Sequence, residues 1–378
     1  MGVDMKKLLL TIGLLVVLTT VLLGIGVNII KNTYSLEREE QQTVEVIKET
    51  VWQEKGDESS AVINVALENE EIEVPEKPKY PTLTLTAAGD CTLGYYPGQS
   101  QWNRFDQVAQ EKGYDYFFEN VREIFESDDL TLVNLEGPLT TATVFTEKEF
   151  VFKGEPDYVH ILKNAGIEAV NLANNHTRDY GEIGYRETQK ILKESGIGFF
   201  GEQDIFYHKV NGIEVGVIGF KGWTSDNWVK EQLRGLITQA KERSDLIIVM
   251  FHWGEEGVYY PVKAQEELAR FVIDEGVHLV LGSHPHVIQG IEVYKGVQIV
   301  YSMGNFCFGG NRNPSDKDAF IYQQTFELQE KGIVAVNHQV IPCSISSVTE
   351  KNDYRPTPLV GEAKRLFEER FEKYSQFE

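Results

Sequence analysis

The sequence predicts an α/β domain built on a mixed β-sheet, and two patterns support this prediction. From Thr82 onward, short apolar runs alternate with stretches of helical periodicity, which is the order expected when helices cover a sheet. Two longer alternating segments follow near the C-terminus, at residues 320–328 and 333–341, with a turn at Glu330-Lys331-Gly332. Such a short connection joins antiparallel strands, so the sheet is expected to be mixed rather than purely parallel.

Each predicted element rests on its own apolar pattern. Strands are expected at residues 82–89, 130–135, 169–172, 213–220, 246–251, 277–281 and 298–302. Helices are expected at residues 115–127, 155–165, 185–195 and 263–275, and a last amphipathic helix at 362–374. The third and fourth helices end at Gly196 and Gly276, and glycine commonly follows the last turn of a helix.

Residues 8–30 form an apolar stretch that is long enough to cross a membrane. These 23 residues contain no charged side chain, and a helix needs about 20 residues to cross a hydrocarbon layer of about 30 Å. We expect a single-pass signal anchor of the cell membrane, with residues 1–7, which include Lys6 and Lys7, in the cytoplasm and the catalytic domain extracellular. A cleaved signal peptide is the alternative, although its apolar core is shorter and no clear A-x-A motif follows here.

The rest of the chain divides into three parts by composition. Residues 31–81 are rich in glutamate and end in the segment PEKPKYP, so a charged and proline-rich spacer is expected. Residues 82–345 contain the predicted strands and form the main domain. Residues 346–378 form a C-terminal extension that carries the last amphipathic helix.

Charge and cysteine content narrow the class of protein. A net charge of −22 argues against nucleic acid as a partner and against adhesion to anionic lipid by charge alone. It leaves open an anionic substrate whose charge is neutralised locally by metal ions. The three cysteines, Cys91, Cys307 and Cys343, give no disulfide framework. We expect buried free thiols, with a single bridge as the alternative.

Side chains of the kinds that bind metal ions follow five of the predicted apolar runs. They are Asp90, Glu136, Asn175, His252, His284 and His286. Each has an ordinary alternative, such as a turn or an ion pair, but two of the chain's eight histidines stand in the short segment His284-Pro285-His286. Together they suit two divalent cations about 3.5–4 Å apart, with Glu136 offering one oxygen to each. One or two ions of the manganese, zinc or iron class are therefore the expected cofactors.

Two further residues are expected to face a substrate. His176 follows Asn175 directly, and an imidazole there can donate a proton to a leaving oxygen. Asn305 lies in the turn Gly304-Asn305-Phe306 after a predicted strand and is a candidate for substrate binding, with an ordinary turn residue as the alternative. The whole set indicates metal-dependent hydrolysis of a phosphoester or, less commonly, of an amide.

These motifs resemble those of the CapA/PgsA family of capsule and poly-γ-glutamate biosynthesis proteins, within the calcineurin-like metallophosphoesterase superfamily. The resemblance runs in order from about residue 82 to residue 308. Its motifs are Ala88-Gly89-Asp90, Asp129-Leu130, Asn134-Leu135-Glu136-Gly137-Pro138, Asn171-Leu172-Ala173-Asn174-Asn175-His176, His252-Trp253-Gly254, Gly282-Ser283-His284-Pro285-His286-Val287 and Tyr301-Ser302-Met303-Gly304-Asn305-Phe306.

The resemblance implies a fold, a ligand set and a role. The fold is a four-layer α/β/β/α sandwich of two packed mixed sheets. One metal ion would be bound by Asp90, Glu136 and His286, and the other by Glu136, Asn175, His252 and His284, with His176 as the catalytic residue. The role is in making, exporting or anchoring an anionic extracellular polymer, poly-γ-glutamate, at a membrane where synthase subunits are the expected partners.

One position departs from the wider superfamily. The first motif there usually carries Asp-x-His, whereas Asp90-Cys91-Thr92 places Thr92 where the histidine would be, and Glu136 stands where an aspartate is usual. The first metal ion therefore loses a strong ligand, and the side chain of Cys91 would point away from the site in an extended strand. Two other functions stay open: a free-standing cell-surface metallophosphoesterase, and a polymer-binding module with a degenerate metal site.

Overall fold

Two mixed β-sheets face each other at the centre of the protein, in a computed structural model that describes residues 79–377. In chain order the strands are β1 (Thr82–Thr92), β2 (Leu130–Leu135), β3 (Ala169–Asn171), β4 (Gly198–Phe200), β5 (Ile205–Val210), β6 (Ile213–Gly222), β7 (Leu246–Trp253), β8 (Leu279–Ser283), β9 (Ile291–Tyr294), β10 (Val297–Val300), β11 (Asn305–Phe308), β12 (Asp318–Gln329), β13 (Gly332–Ser344) and β14 (Thr357–Pro358). The helices are α1 (Phe105–Lys112), α2 (Arg122–Glu126), α3 (Val159–Asn164), α4 (Gly181–Ser195), α5 (Asn227–Lys241), α6 (Lys263–Asp274) and α7 (Gly361–Tyr374).

Each sheet combines parallel and antiparallel strands. The first has the order β14-β13-β12-β1-β2-β3-β4, with β11 also paired to β1, and the second has the order β5-β6-β7-β8-β10-β9. In the first sheet β1 to β4 run parallel, whereas β12 and β13 pair antiparallel. In the second, the strands β6, β7, β8 and β10 run parallel and the two edge strands are antiparallel. The predicted α/β class with a mixed sheet is confirmed, and β12 and β13 are the predicted hairpin.

Three layers of buried apolar side chains separate four layers of secondary structure. The first lies between helices α1 to α4 and the first sheet, the second between the two sheets, and the third between the second sheet and helices α5 and α6. Strand β1 shows the alternation that this requires, because Ala87 belongs to the layer between the sheets and Ala88 to the layer beneath the helices. The order of layers is therefore helix, sheet, sheet, helix.

The C-terminal residues pack onto the same core. Strand β14 pairs with β13 at the edge of the first sheet. Phe367 of α7 is fully buried in the layer between the sheets, where its ring contacts that of Phe320.

Two predicted helices have a different form. The prediction of a single helix at residues 115–127 is wrong. The chain forms a 3₁₀ turn at Tyr114–Tyr116 and then the short helix α2, because the side chains of Phe117, Phe118 and Val121 between these elements are all buried in the core. The helix expected at residues 155–165 begins as a 3₁₀ turn at Pro156–Tyr158 and continues as α3.

Several elements are absent from the sequence-based prediction. They are helices α1 and α5 and the short strands β4, β5, β9, β11 and β14. Helix α5 does carry a signal, since Asp226 caps its first turn by accepting a hydrogen bond from the N–H of Val229 at 3.0 Å. Its buried residues Val229, Leu233 and Ile237 also recur at helical spacing.

The predicted membrane anchor at residues 8–30 and most of the predicted spacer lie outside the described residues. From residue 79 to residue 377, no helix combines the length and the apolar character needed to span a bilayer.

Candidate metal centre

The residues that the sequence singles out meet at one end of the two sheets. Strand pairing brings these residues close together. Asp90 lies opposite Asn134 of β2 and Asn305 of β11, while His252 lies opposite Ser283 of β8. The first sheet supplies two carboxylates and Asn175, and the second supplies three imidazoles. The structure brings all of the predicted site residues together, namely Asp90, Glu136, Asn175, His176, His252, His284, His286 and Asn305.

The path of strand β1 differs from the prediction at this point. Residue 89 is not the end of the strand; β1 passes a β-bulge between Ala88 and Asp90 and continues to Thr92. Gly89 permits this path, because a Cβ there would lie 1.9 Å from the carbonyl oxygen of Gly304. The next residue, Cys91, packs its side chain into the apolar layer beneath the helices and so points away from the site, as predicted.

Asp90 is fully buried and is held by two hydrogen bonds. The Asn134 side-chain amide donates to one carboxylate oxygen at 2.7 Å, and the backbone N–H of His284 donates to the other at 3.1 Å. Two residues further along, Oγ1 of Thr92 is buried and has no hydrogen-bond partner among residues 79–377. The position that departs from the superfamily motif thus carries a polar atom that no neighbour satisfies.

Glu136 is the most unusual group of the site. It is fully buried directly after β2, and neither of its carboxylate oxygens has a hydrogen-bond partner within the described part of the chain. Burial raises the pKa of Glu136 to about 8, and the nearby Asp90 carboxylate adds to this, although His286 acts in the opposite direction. A buried carboxylate without donors is costly, whereas a metal ion satisfies it.

His252 makes polar contacts at both ring nitrogens, and Nδ2 of Asn134 lies 3.3 Å from its Nδ1. Its Nδ1 lies 3.0 Å from Oγ of Ser283, whose hydroxyl donates to the carbonyl oxygen of Phe251 at 3.1 Å. The other nitrogen, Nε2, lies 2.7 Å from Oδ1 of Asn175. Oδ1 of Asn175 is an acceptor, and Nε2 is an acceptor as well in the tautomer that carries its proton on Nδ1, so in that tautomer both atoms can bind a cation. Burial, with the neighbouring histidines, lowers the pKa of His252 well below its ordinary value, which keeps the imidazole neutral.

The His284-Pro285-His286 turn has an uncommon backbone conformation. The φ angles of His284 and His286 are 97° and 58°, in the left-handed region that residues other than glycine rarely adopt. The N–H of Gly257 donates to the carbonyl oxygen of Pro285 at 2.8 Å and holds the turn from the outside. An extended strand would also place residues i and i+2 on one side, but the turn sets a separate direction for each imidazole within the site.

The two histidines of this turn have opposite charge preferences. Burial, helped by His286, lowers the pKa of His284 to about 4. Burial also acts to lower the pKa of His286, but the carboxylates of Glu136 and Asp90 outweigh it and raise that pKa to about 10. The two carboxylates thus favour the protonated form of the nearest imidazole.

Three overlapping groups of side chains have the spacing of metal ligands. In each group one ligand atom per residue lies within 4.8 Å of the others. The groups are Asp90, Glu136 and His286; Glu136, His252 and His284; and Glu256, His284 and His286. The first two correspond to the two ligand sets that the family resemblance implies, apart from Asn175. The unpartnered oxygens of Glu136, beside these imidazoles, show that the residues present fit divalent cations.

His176 lies beside these groups and is oriented by its own contacts. Its Nε2 is 3.9 Å from Glu136, its Nδ1 is 2.7 Å from Asp179, and its ring packs against that of Phe152. Burial lowers the pKa of His176, and the hydrogen bond to Asp179 offsets this only in part. The free imidazole is therefore neutral near pH 7.

Asn305 contacts a predicted ligand on both of its polar atoms. Its Oδ1 lies 2.9 Å from Nδ1 of His286, and its Nδ2 donates to the backbone oxygen of the same residue at 3.1 Å. Its side chain is buried. In this structure Asn305 fixes the orientation of His286.

Five residues of the site are missing from the sequence-based prediction, namely Asn134, Asp179, Trp223, Glu256 and Ser283. Asp179 follows His176 by three residues, a spacing that allows contact within one turn. Asn134 and Ser283 stand inside motifs that were recognised for their neighbours. Trp223 has no such signal, because only the folding of β6 beside β7 brings its ring within 4.7 Å of that of His284.

A cavity of about 440 Å³ adjoins the site on the side of Trp223. Trp223 and Trp228 line it with Lys221, Glu202 and the cap residue Asp226. A wider groove of about 1000 Å³ lies between the 313–318 segment and helix α7, and none of the site residues lines it.

Comparison with known proteins identifies the family. The family model described as bacterial capsule synthesis protein PGA_cap matches residues 84–310. The chain belongs to the PGA_cap family. All of the residues that form the candidate metal centre lie inside the part that matches this PGA_cap model.

Relatives of this PGA_cap chain include two from Bacillus. The PGA biosynthesis protein CapA of Bacillus subtilis is 32% identical over 260 residues, which are 62% of this chain and 66% of the relative. The capsule biosynthesis protein CapA of Bacillus anthracis is 31% identical over 302 residues, which are 71% of this chain and 69% of the relative. A probable polyglutamine synthesis accessory protein of Mycobacterium tuberculosis is 23% identical over 58% of this chain and 66% of the relative. The chain spans about two thirds of the length of these relatives.

Two solved structures resemble this PGA_cap chain at 15% identity. They are a hypothetical protein from Thermus thermophilus, with a TM-score of 0.44 over 69% of this chain and 99% of the other, and the calcineurin-like phosphoesterase YfkN from Bacillus subtilis, with a TM-score of 0.45 over 78% and 99%. At this degree of similarity neither adds to the functional assignment.

Proposed function

We propose that this protein acts in the synthesis, export or anchoring of an anionic extracellular polymer of the poly-γ-glutamate type, through a metal-dependent hydrolase-type site. Membership of the PGA_cap family and the names of the two Bacillus relatives support the role in polymer synthesis. The fully buried, unpartnered carboxylate of Glu136 is the single observation that carries the metal-dependent part.

The proposed ligands divide into two sets that share Glu136. Asp90, Glu136 and His286 would hold one divalent cation of the manganese, zinc or iron class. Glu136, Asn175, His252 and His284 would hold the other. Such cations, when bound, lower the pKa of water and stabilise negative charge that develops on the substrate.

The residues of the chain supply proton transfer and orientation. His176 is neutral near pH 7 because burial lowers its pKa, so it accepts a proton first and donates it to the leaving group afterwards. This refines the sequence-based expectation, in which the imidazole starts protonated. Asp179 holds the ring so that Nε2 faces the site.

An anionic polymer must be recognised locally, since the whole chain carries a net charge of −22. Two cationic side chains stand near His176: Lys148 donates to the backbone oxygen of Asn175 at 2.9 Å, and Arg178 lies two residues after His176. Both side chains already have acidic partners, Lys148 at Asp179 and Arg178 at Glu182 and Glu202, so the bound cations would supply the main attraction for carboxylates of the substrate. The cavity beside Trp223 would accept the adjoining part of the chain.

A free-standing metallophosphoesterase is the second candidate function. The donor set favours it, because carboxylate, amide and imidazole ligands around two cations suit hydrolysis of a phosphoester as well as of an amide. A binding module without turnover is the third, and the position of Thr92 supports it.

The cellular arrangement is also part of the proposal. Residues 8–30 would anchor the chain in the cell membrane, residues 31–81 would act as a spacer, and residues 82–345 with the 346–378 extension would lie outside. The calcineurin-like layer arrangement and the synthase subunits as membrane partners belong to the same proposal.

The test compares wild-type protein with His284→Ala and His176→Ala on three measurements. Elemental analysis gives the bound metal, poly-γ-glutamate of defined length tests polymer cleavage, and a model phosphodiester tests phosphoester cleavage. We expect metal in the wild type and in His176→Ala but much less in His284→Ala, and polymer cleavage that requires His176. Cleavage of the phosphodiester alone would favour the second function. Metal-free wild-type protein would refute the proposed site.

A further inference from the structure

Glu256 lies at the solvent side of the metal centre and belongs to neither of the two ligand sets that share Glu136. It follows β7 in the segment His252-Trp253-Gly254-Glu255-Glu256, and its side chain is exposed. One of its carboxylate oxygens lies within 4.8 Å of a ring nitrogen of His284 and of a ring nitrogen of His286. Glu256 therefore has the spacing of a ligand to both histidines of the turn.

The backbone holds Glu256 in this position. Gly254 and Gly257, on either side of the two glutamates, have φ angles of 81° and 74°, which turn the chain tightly over the site. The hydrogen bond from the N–H of Gly257 to Pro285, at 2.8 Å, ties this segment to the same turn that carries both histidines. The glutamate and the two imidazoles thus belong to one connected piece of backbone.

The charge on Glu256 is not used elsewhere. Among residues 79–377 no lysine or arginine lies within ion-pair distance of its carboxylate. By contrast, the exposed Glu182 of α4 and Glu362 and Glu368 of α7 each pair with a basic side chain. His284, in turn, is only 7% exposed, and its Nδ1 has no hydrogen-bond partner in the described structure. A histidine with an unpartnered ring nitrogen thus lies within ligand spacing of a carboxylate without a counter-ion.

Glu136 and Glu256 flank the histidine pair from two sides. Glu136 approaches from the buried interior, and Glu256 approaches from the solvent. A divalent cation bound to His284, or one bound to His286, would therefore meet a carboxylate on its outer side as well. With Asp90, the site then offers three carboxylates, which together carry a charge of about −3. Two divalent cations carry about +4, so a net positive charge remains to attract an anionic substrate.

We propose that Glu256 is a further ligand of the metal centre, binding one of its two divalent cations from the solvent side, next to His284 and His286. This inference rests on the proposed function, because it requires that the centre binds metal. It also accounts for the unusual first motif: where Thr92 offers no imidazole, Glu256 supplies a further donor from a different segment of the chain. The ligand is a hard or borderline divalent cation, of which Mn²⁺ and Zn²⁺ are the probes.

The neighbouring residue Glu255 provides a matched control. Glu255→Gln and Glu256→Gln each remove one negative charge from adjacent exposed positions, but only Glu256 belongs to a ligand group. The full-length protein in detergent is stripped with a chelator, and the binding of Mn²⁺ and Zn²⁺ is measured by titration calorimetry and by elemental analysis. Circular dichroism before the titration shows that each variant is folded.

We expect Glu256→Gln to weaken at least one binding event about tenfold or more, or to lower the number of ions bound per chain, whereas Glu255→Gln leaves both unchanged. Equal behaviour of the two variants would overturn the assignment of Glu256 as a ligand. A third variant, His252→Ala, separates this result from the proposed function. If His252→Ala loses metal while Glu256→Gln does not, only this inference fails. If the wild type binds no metal, the proposed function fails with it.

Discussion

Oδ2 of Asp179 lies 2.7 Å from Nδ1 of His176 and fixes the orientation of that imidazole. The same oxygen accepts a hydrogen bond from the N–H of Phe152 at 2.6 Å, while Lys148 lies 2.6 Å from the other oxygen. Asp179 is almost fully buried, so its contacts leave one arrangement in which Nδ1 donates and Nε2 faces Glu136. Asp179 is a positioning residue for His176.

Replacement of Asp179 by asparagine should reduce turnover of whichever substrate the wild type hydrolyses. The amide nitrogen of asparagine would replace the oxygen that pairs with Lys148, and the loss of the charge further lowers the pKa of His176. We expect kcat to fall by a factor of about 10²–10⁴ with a small change in KM and with unchanged metal content. Glu182→Gln, an exposed change nearby, is the control. Unchanged kcat in Asp179→Asn would contradict the positioning role.

Replacement of Glu136 by glutamine should have opposite effects with and without metal. In the metal-free protein the buried carboxylate has no partner in the described structure, so a neutral amide should stabilise the fold by about 1–3 kcal/mol. The gain should grow from about pH 4.5 to about pH 8 and then level off, because burial raises the pKa of Glu136 from 4.5 to about 8 and the folded protein keeps a proton that the unfolded chain has lost. With Mn²⁺ present, the wild type should gain thermal stability and the variant should not. Thermal unfolding with chelator and with Mn²⁺ measures both; a less stable metal-free variant would refute the argument.

A methyl group at Gly89 should destabilise the protein, whereas one at Gly235 should not. A Cβ at Gly89 would lie 1.9 Å from the carbonyl oxygen of Gly304, so the bulge that positions Asp90 would have to shift. We expect Gly89→Ala to cost about 1–3 kcal/mol and to weaken metal binding. Gly235 lies within α5 with no atom within 4 Å of an added Cβ, and Gly235→Ala should stabilise by about 0.5–1 kcal/mol. Urea unfolding of the two variants tests the pair, and equal losses would count against the close contact.

The Glu168 carboxyl should make the protein less stable as the pH rises. Burial raises the pKa of Glu168 to about 7 from 4.5, with the Asp128 carboxylate adding to it and the hydrogen bond from Thr131 N–H opposing it. The folded protein then binds more protons than the unfolded chain between these values, and stability falls with rising pH across that window. Glu168→Gln should remove this loss, so that its advantage over the wild type, measured by urea unfolding, is larger at about pH 8 than at about pH 4.5.

The Glu187 carboxyl should make the protein more stable as the pH rises, and urea unfolding measures this effect as well. Burial alone would raise the pKa of Glu187, but hydrogen bonds from Thr140 and Thr141 outweigh it and lower the pKa. Its contribution to stability is present at neutral pH and is lost in acid, so Glu187→Gln should cost stability at about pH 7 and less at about pH 4. The same pH trend in both variants would show that these carboxyls do not control it.

Local patterns in the sequence predict the parallel core of the fold well. Strand β2 has the predicted limits, and β6, β7 and helix α6 begin at the predicted residues, because each is a continuous apolar run or an amphipathic stretch of sufficient length. Short strands such as β4 and β11 are not predictable in this way. Their three or four residues pair only because distant strands bring a backbone partner into reach.

The residues of the site also fall into those that the sequence could predict and those that it could not. Residues that sit directly after a strand, such as Glu136 and His284, could be selected from sequence because the strand predicts where the side chain will lie. Glu256 and Trp223 could not, because the path of a glycine-flanked loop and the packing of one strand beside another decide their approach to the histidines. The two hydrogen bonds of Asn305 to His286 are of this second kind as well.

The first sheet is assembled from both ends of the described chain, and this has a consequence for biosynthesis. Strand β1 pairs with β12 in a register that joins Thr82 to Glu327, and between them the chain builds the entire second sheet. While the ribosome is still adding residues 205–300, β1 has β2 on one side and an open edge on the other. The nascent chain must keep that edge from pairing with another molecule until β12 emerges. The residues of β12 therefore decide whether the earlier ones assemble correctly, and truncation before β12 should cause aggregation rather than a smaller folded product.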